Sequence, residues 1–242
     1  MQVMLNLLPR HLPSSRWMSK IVCISGCSRG LGKAMAIEFS SRGWKVAGGA
    51  RNTDKLETLR KNLQTDHFID YLDVTDPTSV ESFASQMEGV LGVPDLLVNN
   101  AGLINSNAPL TEISPEEFSS LLAVNLGGVH NMIRSFVPKM IKKGQGIITS
   151  FSSYWGQSTA PEVGPYCATK WGVEGLSRSL AQELPSGLVS VAFNPGVINT
   201  DMLRSTFGKE AANYPPPEEW AVSAVDRLTG ITRADNGTTI IA

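Results

Sequence analysis

A chain of 242 residues, 42% of them hydrophobic, can bury one sizeable core, and a single α/β domain is expected. With a net charge of −1 and no basic cluster it lacks the electrostatic footprint of a nucleic-acid binder, and no apolar run approaches the roughly 18 residues of a membrane-spanning helix. Three cysteines, Cys23, Cys27 and Cys167, are odd in number, which argues against a disulfide framework and for a reducing, cytoplasmic setting.

Residues 1–19 stand apart, being basic and free of acids, the first of which is Glu38. Such a leader reads either as a transit peptide, which would make the protein organellar, or as an extension upstream of a true start at Met18. The single dinucleotide-binding and catalytic domain is expected over residues 20–242. It opens with Lys20-Ile21-Val22-Cys23-Ile24-Ser25, an apolar, β-branched run suited to a strand buried on both faces. Gly26-Cys27-Ser28-Arg29-Gly30-Leu31-Gly32 follows, and then Leu31, Met35 and Phe39 recur at helical spacing. Strand, glycine-rich turn and helix form a pyrophosphate cradle, because glycines let the backbone approach the anion while the helix N–H groups face it. Gly26, Ser28, Arg29, Gly30, Leu31 and Gly32 are therefore cofactor-binding candidates.

The second strand ends at Ala50-Arg51, about 20 residues beyond the glycine loop, where an NAD enzyme places an acid on the ribose 2′-hydroxyl. Here Arg51 and Arg29 surround that position and no carboxylate does. Two cations favour a 2′-phosphate, so NADP(H) is the expected cofactor.

Alternation continues with a helix over residues 53–63, a strand over 67–72 closing on Asp73-Val74, a helix over 78–91 and a buried strand ending at Asn99-Asn100-Ala101-Gly102. Such βαβ repetition predicts a doubly wound, Rossmann-type parallel sheet of about seven strands with helices on both faces, its ligands lying beyond the carboxyl ends of the strands. Ser114-Pro115-Glu116-Glu117 then starts a helix expected to run past Asn125 to about residue 142, the longest in the chain. An amide among Leu121, Leu122, Val124 and Leu126 is costly unless bonded, so Asn125 either satisfies a neighbouring backbone group or acts in the site.

After an apolar strand comes Ser152-Ser153, and thirteen residues beyond Ser153 stands Tyr166-x-x-x-Lys170. A tyrosine and a lysine four apart share a helix face, roughly 5–6 Å apart. A fixed cation there is expected to lower the phenol's pKa and make Tyr166 an acid/base. Alone, the pair reads equally as a packed tyrosine with a snorkelling lysine. A strand over 188–193 leads to Pro195-Gly196, a helix spans 217–229 and a short strand spans 238–241.

Taken together, Ser25-Gly26-x-x-x-Gly30-x-Gly32, Asn99-Asn100-Ala101-Gly102, Asn125, Ser153, Tyr166-x-x-x-Lys170 and Pro195-Gly196 resemble the short-chain dehydrogenase/reductase family, from about Met18 to the C-terminus. Ser25 stands where that family usually has Thr, and it keeps the hydroxyl. Within the family the chain is most similar to plant-type NADPH-dependent pterin aldehyde reductases, through Pro165 to Trp171, Asn194 to Thr200, Phe207-Gly208 and Asp235-Asn236-Gly237.

The resemblance implies that Tyr166 donates a proton to a carbonyl oxygen as hydride leaves the nicotinamide. It implies too that Lys170 lowers the tyrosine pKa and bonds the nicotinamide ribose, that Ser153 positions the carbonyl, and that Asn125 holds a water linking Lys170 to solvent. Asp73 and Val74 should meet the adenine, Asn99 should support the sheet end, and Ala101 and Gly102 should lie along the cofactor. Pro195, Gly196, Ile198 and Thr200 should meet the nicotinamide amide. No metal is expected.

The partners implied are a small-molecule carbonyl substrate and a second copy of the chain. A homodimer through the helices near 115–142 and 164–184 is favoured over the tetramer common in the family. Substrate choice is assigned to residues 103–107, Tyr154-Trp155, Glu162-Val163 and 201–217. In these segments Tyr154, Trp155, Phe207 and Tyr214 could stack a planar heterocycle, and Asp201 or Glu162 could accept its amino edge. Reduction of a quinone or another aldehyde, and NADP binding without turnover, remain as alternatives. Retention of Ser153, Tyr166 and Lys170 together argues against the last.

Overall fold

The computed structural model describes residues 20–242, and the leader at residues 1–19, with its two readings, lies outside the described residues. The expected alternation forms one seven-stranded parallel sheet. In chain order β1 (Ile21–Ser25) leads to α1 (Gly30–Ser41), β2 (Lys45–Ala50) to α2 (Thr53–Arg60), and β3 (His67–Tyr71) to α3 (Pro77–Val90). Then come β4 (Leu96–Asn99), α4 (Pro115–Leu122), α5 (Gly128–Lys143), β5 (Gly146–Phe151), α6 (Gly164–Glu183) and β6 (Leu188–Asn194). The chain closes with α7 (Asp201–Phe207), α8 (Pro217–Thr229) and β7 (Thr239–Ile241).

The strands lie in the order β3-β2-β1-β4-β5-β6-β7. After β3 the chain crosses back to the other side of β1, so the order reverses between β1 and β4. Loops leaving those two strands at their carboxyl ends part in opposite directions, which opens the crevice where such sheets bind ligands.

Strand side chains alternate between two cores. Val22, Ile24 and Val98 join Phe39, Val225 and Leu228 on the face covered by α1 and α8. Cys23, Leu97 and Ile148 join Met87, Met132 and Phe136 on the face covered by α3 and α5, with Leu184 just beyond α6. Burial on both faces is why β1 and β6 read as nearly continuous apolar runs, broken in β6 by Ser190, rather than alternating ones.

Start signals behaved as their chemistry requires: Asp76 accepts the Thr78 N–H at 2.9 Å at the start of α3, and Ser114 accepts the Glu117 N–H at 3.1 Å at the start of α4. The expected long helix differs in one respect. A π-helical turn, Ala123–Gly127, separates α4 from α5, with Asn125 at its middle. One extra residue per turn changes which face the residues before and after it present, and it brings the Asn125 amide against the loop after β4.

Candidate active site

The site starts at the paired ends of β1 and β4. Ser25 Oγ accepts the backbone N–H groups of Asn100 and Ala101, at 3.1 and 3.2 Å, and Asn100 Nδ2 donates to the carbonyls of Ser25 and Gly26, at 2.9 and 3.1 Å. The two loops are thereby held so close that only glycine serves at two positions. At Gly26, with φ 72°, a Cβ would lie 2.8 Å from Ala101 Cα, and at Gly32 it would lie 2.4 Å from the Gly26 carbonyl oxygen. Next to this turn α1 begins at Arg29 with no side-chain cap and no acid in its first turn. Its leading N–H groups therefore remain for an anion from outside the chain, which is the donor set a pyrophosphate needs.

A cavity of about 710 Å³ runs from this loop along the carboxyl edge of the sheet. It is lined by Gly26, Ser28, Arg29, Gly30, Leu31 and Gly32, by Arg51, Asp73 and Val74, and by Ala101 and Gly102. Ser153, Tyr166 and Lys170 line it further on, with Pro195, Gly196, Ile198 and Thr200. Two of the residues expected in the catalytic and cofactor sets do not reach it. Asn99 is 3% exposed and turns into the sheet, donating to Ser150 Oγ at 3.1 Å, while its neighbour Asn100 takes the cavity wall. Strand alternation sends two adjacent asparagines opposite ways, and the motif alone did not say which faced the cofactor.

Asn125 is the second. Its Oδ1 accepts the Leu103 N–H at 2.8 Å, and its Nδ2 donates to the Leu103 carbonyl at 2.9 Å and to Thr169 Oγ1 at 3.0 Å. Both amide protons are committed, and the Leu103 backbone is satisfied as the first of its two readings requires. It fixes the loop after β4 against α6, and a relay from Lys170 to solvent does not use its Nδ2.

At one end of the cavity the cations gather. Arg51 and Lys55 stand where β2 gives way to α2, with Arg29 across from them. Asn52 and Lys55 were missed in the sequence; a cation one turn beyond Arg51 was the available signal. Burial works to raise the Asp73 carboxyl, but hydrogen bonds from the Thr75 hydroxyl and N–H, together with Arg51, hold it below its ordinary range. No carboxylate sits at the end of β2 itself, so the residues present fit a cofactor carrying an extra phosphate there.

At the other end, Tyr166 is 7% exposed and shares the cavity wall with Ser153, whose Oγ accepts the Trp155 N–H at 3.2 Å. Burial pushes the Tyr166 phenol up to about 12, with the neighbouring Ser153 hydroxyl opposing it. Burial pulls the Lys170 ammonium down to about 8. The expected depression of the phenol by the lysine is thus absent, for a geometric reason. Lys170 Nζ donates to the Phe151 carbonyl at 2.6 Å and lies 5.4 Å from the centroid of the Tyr166 ring. Desolvation, which disfavours either charge, outweighs their proximity. A phenol that stays protonated across the physiological range is a proton donor.

Between this pair and solvent the wall turns apolar and aromatic. Trp155 stacks on Phe207 at 6.2 Å and 13° and meets Tyr166 edge-on at 6.1 Å, while Tyr154, 68% exposed, stands at the mouth. Leu103, Ile104, Met202 and Leu203 complete it. Tyr214 and Glu162 do not line the cavity; Glu162 instead adopts a φ of 64° and gives its carbonyl to Asn105 Nδ2 at 2.8 Å. Asp201 does line it, but it is bonded to Arg204 at 2.6 Å and Arg29 at 3.4 Å, and Arg204 above all holds its carboxyl below the usual range. Glu162 thus lies outside the cavity and the Asp201 carboxyl is already engaged by two arginines, so neither is placed to accept the amino edge of a heterocycle. Among the described residues there is no cluster of three or more potential metal ligands, and no helix is long and apolar enough to cross a membrane.

Three comparisons bear on this geometry. The family model described as short chain dehydrogenase matches residues 20–211. The NADPH-dependent pterin aldehyde reductase of Arabidopsis thaliana is 46% identical over 221 residues, covering 90% of this chain and 91% of that protein, and the 3-oxoacyl-[acyl-carrier-protein] reductase FabG of Escherichia coli (strain K12) is 35% identical over 77% and 76%. Among solved structures, the alcohol dehydrogenase of the archaeon Thermococcus sibiricus complexed with 5-hydroxy-NADP superposes with a TM-score of 0.82 at 31% identity, covering 92% of this chain and 95% of that one.

The buried lysine makes stability depend on pH. Its folded pKa, about 8, lies below its ordinary 10.5, so between those values the unfolded chain binds the extra proton. Lys170 should therefore add stability progressively from about pH 8 to about pH 10.5, against the loss that the buried, raised Cys23 and Cys27 thiols cause above about pH 9, so Lys170→Met should make the pH slope in urea titrations more negative across that range. The same slope in the variant would show that another group is responsible.

Proposed function

The chain belongs to the short-chain dehydrogenase family, and on that premise we propose that it is an NADPH-dependent reductase whose substrate is a pterin aldehyde, with Tyr166 as proton donor. The observation that carries the catalytic part is the single cavity joining a cationic end, at Arg29, Arg51 and Lys55, to the Ser153–Tyr166–Lys170 cluster. The likeness to the Arabidopsis thaliana pterin aldehyde reductase supports the substrate.

The residues that would hold NADPH are the glycine loop and α1 N-terminus for its pyrophosphate, Arg29, Arg51 and Lys55 for its 2′-phosphate, and the loop from Pro195 to Thr200 for its nicotinamide. When bound, that cofactor supplies the hydride taken by the carbonyl carbon. The protein's own part is at the oxygen. Ser153 and Tyr166 present hydroxyls to the carbonyl oxygen as negative charge develops there, and the Tyr166 hydroxyl passes its proton to it. Because Ser153 and Tyr166 already stand together in the cavity wall, little reorganisation accompanies the step. Lys170, held on the Phe151 carbonyl, lies beside the phenolate this leaves and stabilises it. The stacked Trp155 and Phe207 offer a flat, dry wall against which a planar ring can lie.

Two further parts of this reading concern the setting. A homodimer through α4, α5 and α6 accounts for Phe118 and Trp171, 38% and 50% exposed on those helices. The three free, buried cysteines support a reducing compartment, the cytoplasm.

NADPH oxidation by the purified protein should be fastest with dihydropterin-6-aldehyde or 6-formylpterin, slower with a quinone or a simple aldehyde, and lost by at least about 100-fold in Tyr166→Phe. Arg51→Ala should raise KM for NADPH about tenfold or more while leaving that for NADH unchanged. Turnover of only the other carbonyls would withdraw the pterin, and tight NADPH binding without turnover would revive the non-catalytic alternative. Sedimentation at micromolar concentration should show a dimer, a monomer overturning that part, and cell fractionation should recover the protein with cytoplasmic rather than organellar markers.

A further inference from the structure

Three successive residues at the end of β5 engage one stripe of α6. The Phe151 carbonyl accepts from Lys170 Nζ at 2.6 Å, Ser152 Oγ donates to Glu174 Oε1 at 2.7 Å, and Ser153 shares the cavity wall with Tyr166. Tyr166, Lys170 and Glu174 follow one another at intervals of four, so they lie along one helix face. Two of these pairs contain the groups assigned to the reaction. The third does not, and the reduction of a carbonyl has no evident use for a carboxyl at this place.

Glu174 is 4% exposed, and a carboxyl so far from water persists only when its oxygens are supplied with donors. Ser152 supplies Oε1, while Thr239 Oγ1 at 2.6 Å and Arg178 Nη2 at 3.3 Å supply Oε2. The short turn Tyr154–Gly156 closes over the pair. A Cβ at Gly156 would stand 2.3 Å from Ser152 Oγ, 3.1 Å from the Lys170 carbonyl and 3.3 Å from Glu174 Cγ. Ser152 lines the cavity, yet its hydroxyl points away into this arrangement.

We propose that Glu174 is a positioning residue for the reduction: by holding the Ser152 hydroxyl it sets the backbone from which Ser153 reaches Tyr166, and it anchors that backbone to β7 through Thr239. This rests on the reading of Ser153, Tyr166 and Lys170 as the reacting groups. Displacement of a reacting group by a fraction of an ångström is enough to slow such a step, since the hydroxyls must already be aimed at the carbonyl oxygen. The stripe gives the aim a rigid origin, because each contact from the strand end meets a different turn of a single helix. The same contact explains why the two adjacent serines, both at the cavity, take different parts.

The test is steady-state kinetics of NADPH oxidation with whichever carbonyl of the panel above the wild type reduces best. Ser152→Ala removes the donor, Glu174→Leu removes the acceptor at similar volume, and Glu174→Gln keeps an oxygen that can accept from Ser152. Ser152→Ala and Glu174→Leu should each lower kcat about tenfold with KM for NADPH unchanged, and the double variant should be no slower than either single one, because both remove the same bond. Glu174→Gln should lower Tm, through Arg178 and Thr239, while keeping kcat within about threefold of wild type. If Glu174→Leu fails to fold, Ser152→Ala and Glu174→Gln still decide. Wild-type kcat in Ser152→Ala, or losses that multiply in the double variant, would overturn the proposal. Tyr166→Phe separates the two levels: full turnover in that variant sinks the catalytic reading itself, whereas its inactivity beside a fully active Ser152→Ala sinks only the positioning role of Glu174.

Discussion

Ser25 and Asn100 tie the carboxyl ends of β1 and β4 together, and the rest of the site depends on that closure. The sheet reverses its winding order between these two strands, so their loops would otherwise diverge. A buried hydroxyl accepting two backbone N–H groups, and an amide donating to two carbonyls, satisfy the backbone at the end of the ladder and bring the glycine turn against Ala101. From that contact follow the glycines at 26 and 32, the uncapped first turn of α1 and the shape of the crevice. Asn125 repeats the device one layer further on, joining Leu103 to Thr169 and so the loop after β4 to α6.

The cavity uses opposite electrostatics at its two ends. Around Arg29, Arg51 and Lys55 the charges are accessible to water and to an incoming phosphate, and Asp201 already engages Arg29. Around Tyr166 and Lys170 the surroundings are dry, and burial disfavours both the phenolate and the ammonium. A site arranged in this way attracts its anion at the rim. At its centre it keeps a proton on the tyrosine, ready to be given rather than lost to solvent.

Element order, element type and the glycine turn were legible because each is written locally. Val22, Ile24 and Leu97 announce their strand by being apolar without interruption, Asp76 and Ser114 announce their helices by their short oxygen side chains, and Gly26 to Gly32 announce a turn by lacking Cβ atoms. The π turn at Ala123–Gly127 was not legible. Apolar residues at roughly helical spacing fit an α-helix and a helix with one wider turn equally well, and the difference is decided by what the Asn125 amide finds beside it.

By itself, then, the sequence determined a doubly wound sheet, a dinucleotide cradle with cations in place of the ribose acid, and a serine, tyrosine and lysine in family order. Tertiary structure decided how those groups behave. It placed Asn100 rather than Asn99 at the cavity, engaged Asp201 with two arginines, and put Lys170 on a backbone carbonyl, so that burial sets the pKa of Tyr166. It also brought Glu174 to Ser152, across 22 residues of chain. The physical reason is range: backbone conformation and hydrophobic period are fixed by neighbours in the chain, whereas hydrogen-bond partners and desolvation come from elements that meet only when the sheet is assembled.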